Sequence, residues 1–292
     1  MFTEFTTHDI DVAGVRIHAR VGGEGPPVLL LHGYPQTHVI WREVAAALAE
    51  SHTVVVSDLR GYGDSGKPAS AADHSSYGKR AMAADQVGLM TALGHDRFAI
   101  VGHDRGARVA HRLCLDHPER VDRAAVLDIV PTRHVFANVD RSLATVYDHW
   151  FFLAEEPDLP EVLIGGAPEY FLRRKLEQWS GPGAVFEEQA VTEYVRCFSD
   201  PEAIRASCED YRAAASIDLE HDDADAAAGH RITCALLVLW GTHGFVGTRY
   251  DVLEVWRQYA DDVRGHSLDC GHFVPEEAAE QTIIALREFL SN

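Results

Sequence analysis

Apolar positions along the first half of the chain alternate between two textures. Short, almost wholly apolar runs recur at Val28-Leu29-Leu30-Leu31, Thr53-Val54-Val55-Val56, Phe98-Ala99-Ile100-Val101 and Ala124-Ala125-Val126-Leu127. They have the length of strands and no polar face, as strands buried on both sides of a parallel sheet do. Between them, Trp41 to Glu50, Tyr77 to Leu93 and the stretch from Gly106 to about Pro118 space their apolar residues as helices do. Residues 8–20 read as two strands around Ala13-Gly14, with alternation in Val15-Arg16-Ile17-His18-Ala19. Strand and helix in turn predict an α/β fold with a mostly parallel sheet flanked by helices. From about Pro131 the texture changes: little strand pattern returns before Thr233, aromatic residues are dense, and helices are predicted over 139–154 and 184–198. This predicts a helical cap over 132–214, inserted into a core of 1–131 and 215–292, over the sheet edge where open α/β sheets take ligands. Asp218 to Asp225 reads as a solvated acidic connection. The sheet pattern resumes at Ala235–Gly241 and Val263–Leu268, and a helix from Glu276 to Leu290 closes the fold.

Composition narrows the function more than the fold. A chain of 292 residues, 46% hydrophobic and 24% charged, is ordinary for a globular protein with a sizeable core. Its formal net charge of -19 argues against nucleic acid and anionic membranes as partners, and means that an anionic substrate would need a local cationic pocket. The five cysteines are odd in number and lack metal-ligand spacing, so they read as reduced thiols. With neither a basic, apolar leader at Met1-Phe2-Thr3-Glu4-Phe5 nor a membrane-length apolar run, a cytoplasmic protein is expected.

The chemistry concentrates in Gly102-His103-Asp104-Arg105-Gly106, where an apolar strand meets a helix through a turn with glycines two residues either side of its centre. Such an elbow presents its central side chain at the top of a sheet. The centre is Asp104 rather than serine, which excludes a serine esterase. A carboxylate is already anionic and suits displacement at saturated carbon, forming an alkyl ester that water then cleaves. His32-Gly33-Tyr34-Pro35 follows the third strand, where such enzymes donate one oxyanion-hole N–H; the backbone donors are then Tyr34 and Arg105. Water needs a base, and His272, in the loop after the last strand, suits the order nucleophile, acid, histidine better than His266 inside that strand. For the acid, the loop from Gly241 holds no carboxylate before Asp251, whereas Asp128 ends the strand after the elbow.

Arg105 and Arg108 sit one turn apart at the start of the elbow helix. Cations there oppose the helix dipole, so the placement favours a bound anion. The pair is read as a forked clamp on a substrate carboxylate, which places the α-carbon near Asp104. The substrate is then a small 2-substituted acid whose substituent departs as an anion.

With these residues in place, the chain resembles the haloacetate dehalogenases of the α/β-hydrolase superfamily, particularly the fluoroacetate dehalogenases. The likeness includes Asp58-Leu59-Arg60-Gly61-Tyr62-Gly63, Val126-Leu127-Asp128-Ile129-Val130-Pro131, Cys208-Glu209-Asp210-Tyr211-Arg212-Ala213 and Asp269-Cys270-Gly271-His272. It implies the α/β-hydrolase fold, a halide pocket made by His149, Trp150 and Tyr211, no metal or organic cofactor, and a homodimer. Departures lie mainly in the cap and the loop 242–249. The nearest enzymatic rival is an epoxide hydrolase, which shares the aspartate elbow and for which Tyr147, Tyr170, Tyr194 and Tyr211 are candidate proton donors. A non-catalytic protein of this fold that keeps a small acid in its pocket is a rival of another kind.

Overall fold

The apolar runs become the middle of one eight-stranded sheet. The computed structural model describes residues 1–291. Its strands are β1 (Thr6–Val12), β2 (Val15–Gly22), β3 (Pro27–Leu31), β4 (Thr53–Ser57), β5 (Phe98–His103), β6 (Val121–Leu127), β7 (Ala235–Gly241) and β8 (Val263–Leu268), in the spatial order β1-β2-β4-β3-β5-β6-β7-β8. The hairpin β1–β2 joins β4 antiparallel, and every later pairing is parallel. Leu29, Leu30, Val55, Val56, Ile100, Val101, Val126 and Val238 are wholly buried, which is why these strands carry no polar face.

Register gathers the strand ends. Leu31 pairs with Gly102, His103 with Leu127, Leu127 with Leu239, and Gly241 with Leu268. One or two residues beyond these pairs, Gly33, Asp104 and Asp128 emerge side by side at the carboxyl edge of the sheet, with the loop to His272 next to them.

Between β6 and β7 the described chain is helical, from Thr132–Ala137 through Ile217–Ala228. Three local expectations change. The helix predicted over 139–154 breaks at Tyr147 into Arg141–Val146 and Asp148–Phe152; the Tyr147 ring packs against Phe245 at 4.6 Å and Trp150 at 5.4 Å, a contact that a sequence pattern does not carry. The helix predicted from 184 begins at Glu188. The acidic run Asp218–Asp225 is no solvated connection but part of the helix Ile217–Ala228: Asp218 is buried and accepts the Lys79 backbone N–H, while Asp222 and Asp225 hold Arg112. Ion pairing with a neighbouring helix turns inward carboxylates that composition assigns to water. No helix of the described residues is long and apolar enough to cross a membrane.

Candidate active site

The elbow is tight. Asp104 sits at φ 46° and ψ −114°, a backbone region that non-glycine residues rarely adopt and that persists only where surroundings impose it. The imposing contacts are backbone: a Cβ on Gly106 would lie 2.4 Å from the His32 carbonyl, and one on Gly33 would lie 2.5 Å from the Asp104 Cβ. With no side chain at Gly33, the next residue's backbone reaches the carboxylate, and the Tyr34 N–H donates to Asp104 Oδ2 at 2.9 Å. Burial by itself would raise the Asp104 carboxyl, but the charges of His272, Arg105 and Arg108 outweigh it and hold the group below the usual carboxylate range. The group is therefore an anion.

Asp128 also lies at positive φ, 52°. Its Oδ1 accepts the Gly241 N–H at 3.0 Å and its Oδ2 accepts the His272 Nδ1–H at 2.7 Å. That bond leaves Nε2 as the bare ring nitrogen of a neutral His272. Burial opposes charging His272, yet the Asp128 bond and the Asp128 and Asp104 charges raise its pKa above the ordinary 6.5. The loop is held by Glu277, whose carboxylate accepts the Gly271, Phe273 and Gly181 N–H groups. His266 is exposed within β8, and Asp251 caps the helix Val252–Trp256; neither reaches the site.

The two arginines differ. Arg105 is fully buried, and its Nε and Nη2 face the Asp210 carboxylate at 2.9 and 2.6 Å. The forked edge expected to grip a substrate is thus occupied from within the protein. Arg108 Nη1 donates to the neutral Val130 carbonyl and Thr132 hydroxyl, at 3.0 and 3.1 Å. Each guanidinium lies over a ring, Arg105 over Tyr211 at 4.1 Å and Arg108 over Trp150 at 4.6 Å. One buried guanidinium nitrogen on each, Arg105 Nη1 and Arg108 Nε, has no hydrogen-bond partner among the described residues.

His149, Trp150 and Tyr211 come together: the Tyr211 ring lies 5.7 Å from His149 and 6.2 Å from Trp150. Burial, helped by the Lys175 charge, keeps His149 well below its ordinary pKa and so neutral, and its Nδ1 has no hydrogen-bond partner among the described residues. Burial, with the Asp104 charge, pushes the Tyr211 phenol up, so that it stays a donor. A cavity of about 250 Å³ is walled by Asp104, Asp128, His272, His149, Trp150, Tyr147 and Trp179 among others. Arg105, Arg108, Tyr34 and Tyr211 are not on that wall but touch residues that are. Of the other tyrosines, Tyr170 is exposed and the Tyr194 hydroxyl donates to Glu276 at 3.0 Å.

Two residues at the site escape a sequence reading. Asp210 stands between Glu209 and Arg212 within the stretch that carries the family likeness, and its local sequence gives no sign that it is buried or bonded to Arg105. His103 is wholly buried; its Nε2–H donates to the His272 carbonyl at 2.7 Å, and burial with the His272 charge pulls it down to about 3.

A family model described as the α/β hydrolase fold matches residues 26–279. A fluoroacetate dehalogenase from Burkholderia sp is 45% identical over 100% of this chain and 96% of its own. A soluble epoxide hydrolase from Corynebacterium sp. (strain C12) is 36% identical over 100% and 99%. The crystal structure of ALR0039 from Nostoc sp PCC 7120 superposes with a TM-score of 0.98 at 55% identity, covering 100% of both chains. The resemblance to the fluoroacetate dehalogenases therefore runs the length of the sequence, and the chain belongs to the α/β hydrolase fold family.

Proposed function

We propose that this hydrolase is a haloacetate dehalogenase, converting small 2-haloacids such as fluoroacetate or chloroacetate to glycolate and halide. The observation that carries the reading is the pair of unpartnered, buried guanidinium N–H groups, Arg105 Nη1 and Arg108 Nε. An unsatisfied buried donor costs about 1–3 kcal/mol, and a substrate carboxylate relieves both. A neutral epoxide brings one uncharged acceptor oxygen where a carboxylate brings two charged ones, although full-length likeness to an epoxide hydrolase and Tyr147 on the cavity wall make that the second reading.

In this mechanism the Asp104 carboxylate attacks the α-carbon, the carbon–halogen bond breaks, and the halide leaves with its electron pair. His149, Trp150 and Tyr211 receive it through N–H and O–H donors, whose bonds strengthen as charge develops and so help most with fluoride, a poor leaving group. His272 Nε2 then takes a proton from water while the water oxygen adds to the ester carbonyl. The Tyr34 and Arg105 backbone N–H groups hold the oxyanion. As it collapses the acyl C–O bond breaks and the His272 imidazolium gives its proton to the hydroxyl oxygen of departing glycolate. The Asp104 carboxyl loses the remaining water proton to solvent as its carboxylate reforms. The residues provide for this without a metal or organic cofactor.

Halide release from fluoroacetate, chloroacetate and a 2-halopropionate tests the reaction. His272→Asn should leave alkylation intact and block hydrolysis, so that intact-protein mass shows one stable carboxymethyl adduct after chloroacetate. Turnover of styrene oxide with no halide release and no adduct would transfer the assignment to epoxide hydrolysis.

A further inference from the structure

Asp210 lies in the helix Pro201–Ala214 and is wholly buried, yet it is bonded to no water-facing group. Both carboxylate oxygens are filled twice. Oδ1 accepts Arg105 Nη2 and the Lys79 ammonium, while Oδ2 accepts Arg105 Nε and the Tyr62 hydroxyl, the last at 2.7 Å. The Asp210 backbone carbonyl accepts Arg105 Nη2 as well, at 2.9 Å. Lys79 is itself tied to Asp218, its ammonium 3.5 Å from Oδ2 and its backbone N–H 2.7 Å from Oδ1. A carboxylate has about four lone-pair sites, and here all are taken, so neither Asp210 nor the guanidinium edge it holds is free to turn.

We propose that Asp210 is a positioning residue that sets the affinity for the substrate carboxylate, acting through Arg105. This rests on the dehalogenase reading and goes beyond it. By occupying Nε and Nη2, Asp210 leaves Arg105 only its Nη1 amino group to offer. The substrate then meets Nη1 of Arg105 and Nε of Arg108 rather than the Nε/Nη2 fork of Arg105. Two-point contact still orients the α-carbon toward Asp104. It also limits uniform binding, which would hold glycolate as tightly as substrate without speeding the chemical step. Asp210 has a second effect: it keeps the Arg105 cation off the nucleophile. Without that anchor the guanidinium would turn to the nearest remaining anion, Asp104, and withdraw Nη1 from the substrate.

The test compares two competitive inhibitors in the halide-release assay. Acetate reports the carboxylate contact, and bromide reports the halide pocket. Asp210→Asn should raise the acetate inhibition constant and the chloroacetate KM about tenfold or more, the scale of a lost charge-assisted hydrogen bond. The bromide constant should stay within about twofold, because Asp210 bonds none of His149, Trp150 and Tyr211, and Tyr211 keeps its ring contacts with the other two. Equal weakening of acetate and bromide would mean a merely structural role, and an unchanged acetate constant would overturn the proposal outright. If Asp210→Asn does not fold, Tyr62→Phe decides, since it keeps the Asp210 charge and removes one of its four donors. Acetate should then weaken about two- to threefold with bromide unmoved, and no change in acetate overturns the proposal. A wild-type protein that releases no halide from any haloacid defeats the dehalogenase reading instead, which separates the two failures.

Discussion

The sheet edge and the helical segment between β6 and β7 hold their polar groups by different means. At the edge, the main chain does the work: positive φ at Asp104 and Asp128, strand register, and N–H donors from Tyr34 and Gly241. Changing a side chain nearby leaves those restraints in place. In the helical segment, His149, Trp150 and Tyr211 are held by rings packed on rings and on guanidinium groups, and His149 lies 4.5 Å from Trp179. On the proposed mechanism, attack and ester hydrolysis fall to groups held by the main chain, while the choice of leaving group falls to groups held by side-chain packing. One framework can then serve several substrates by changing only what covers it.

The comparison predicts effects of graded size. Asp104→Ala removes the attacking group, and halide release from chloroacetate should fall about 10⁴-fold or more with the thermal unfolding midpoint little changed; residual activity within tenfold of wild type would break the division of labour. Trp150→Phe keeps a ring in the packing and deletes an N–H donor. Fluoroacetate turnover should drop about 100-fold and chloroacetate much less, because the more basic fluoride needs the donor more. An equal loss on both would mean that packing, not donation, is the contribution of Trp150. The smallest effect is a pH dependence at the sheet edge. His272 must be neutral to accept a proton from water, and its pKa lies above the ordinary 6.5. The acid limb of the kcat profile should therefore have its midpoint above pH 6.5, with less than half the plateau rate remaining at that pH. A midpoint below 6.5 would show that Asp128 does not hold the histidine as its geometry indicates.

How much was legible in sequence follows the same line. The four buried strands, the elbow and the loop bearing His272 declare themselves because each is local: an apolar run of strand length, glycines flanking a turn, a histidine just past the last strand. Asp128 follows from its place at the end of β6, since parallel register aligns strand ends. The burial of Asp210 was not legible, because nothing in its local sequence separates it from carboxylates that stay exposed, such as Asp200 and Glu202. Its role depends on Lys79, Tyr62 and Arg105, which lie 131, 148 and 105 residues away. The acidic helix Ile217–Ala228 escaped for the same reason.

By itself, then, the sequence determined which strands lie buried, where the chain turns sharply at a carboxylate, and the order in which nucleophile, acid and histidine are met. These are properties of neighbouring residues, governed by hydrophobic periodicity and backbone sterics. Only the tertiary structure decided which edge of Arg105 is left free, which of the many carboxylates turn inward, and which tyrosines reach the cavity. Those outcomes depend on desolvation and ion pairing between distant segments, which no local pattern encodes.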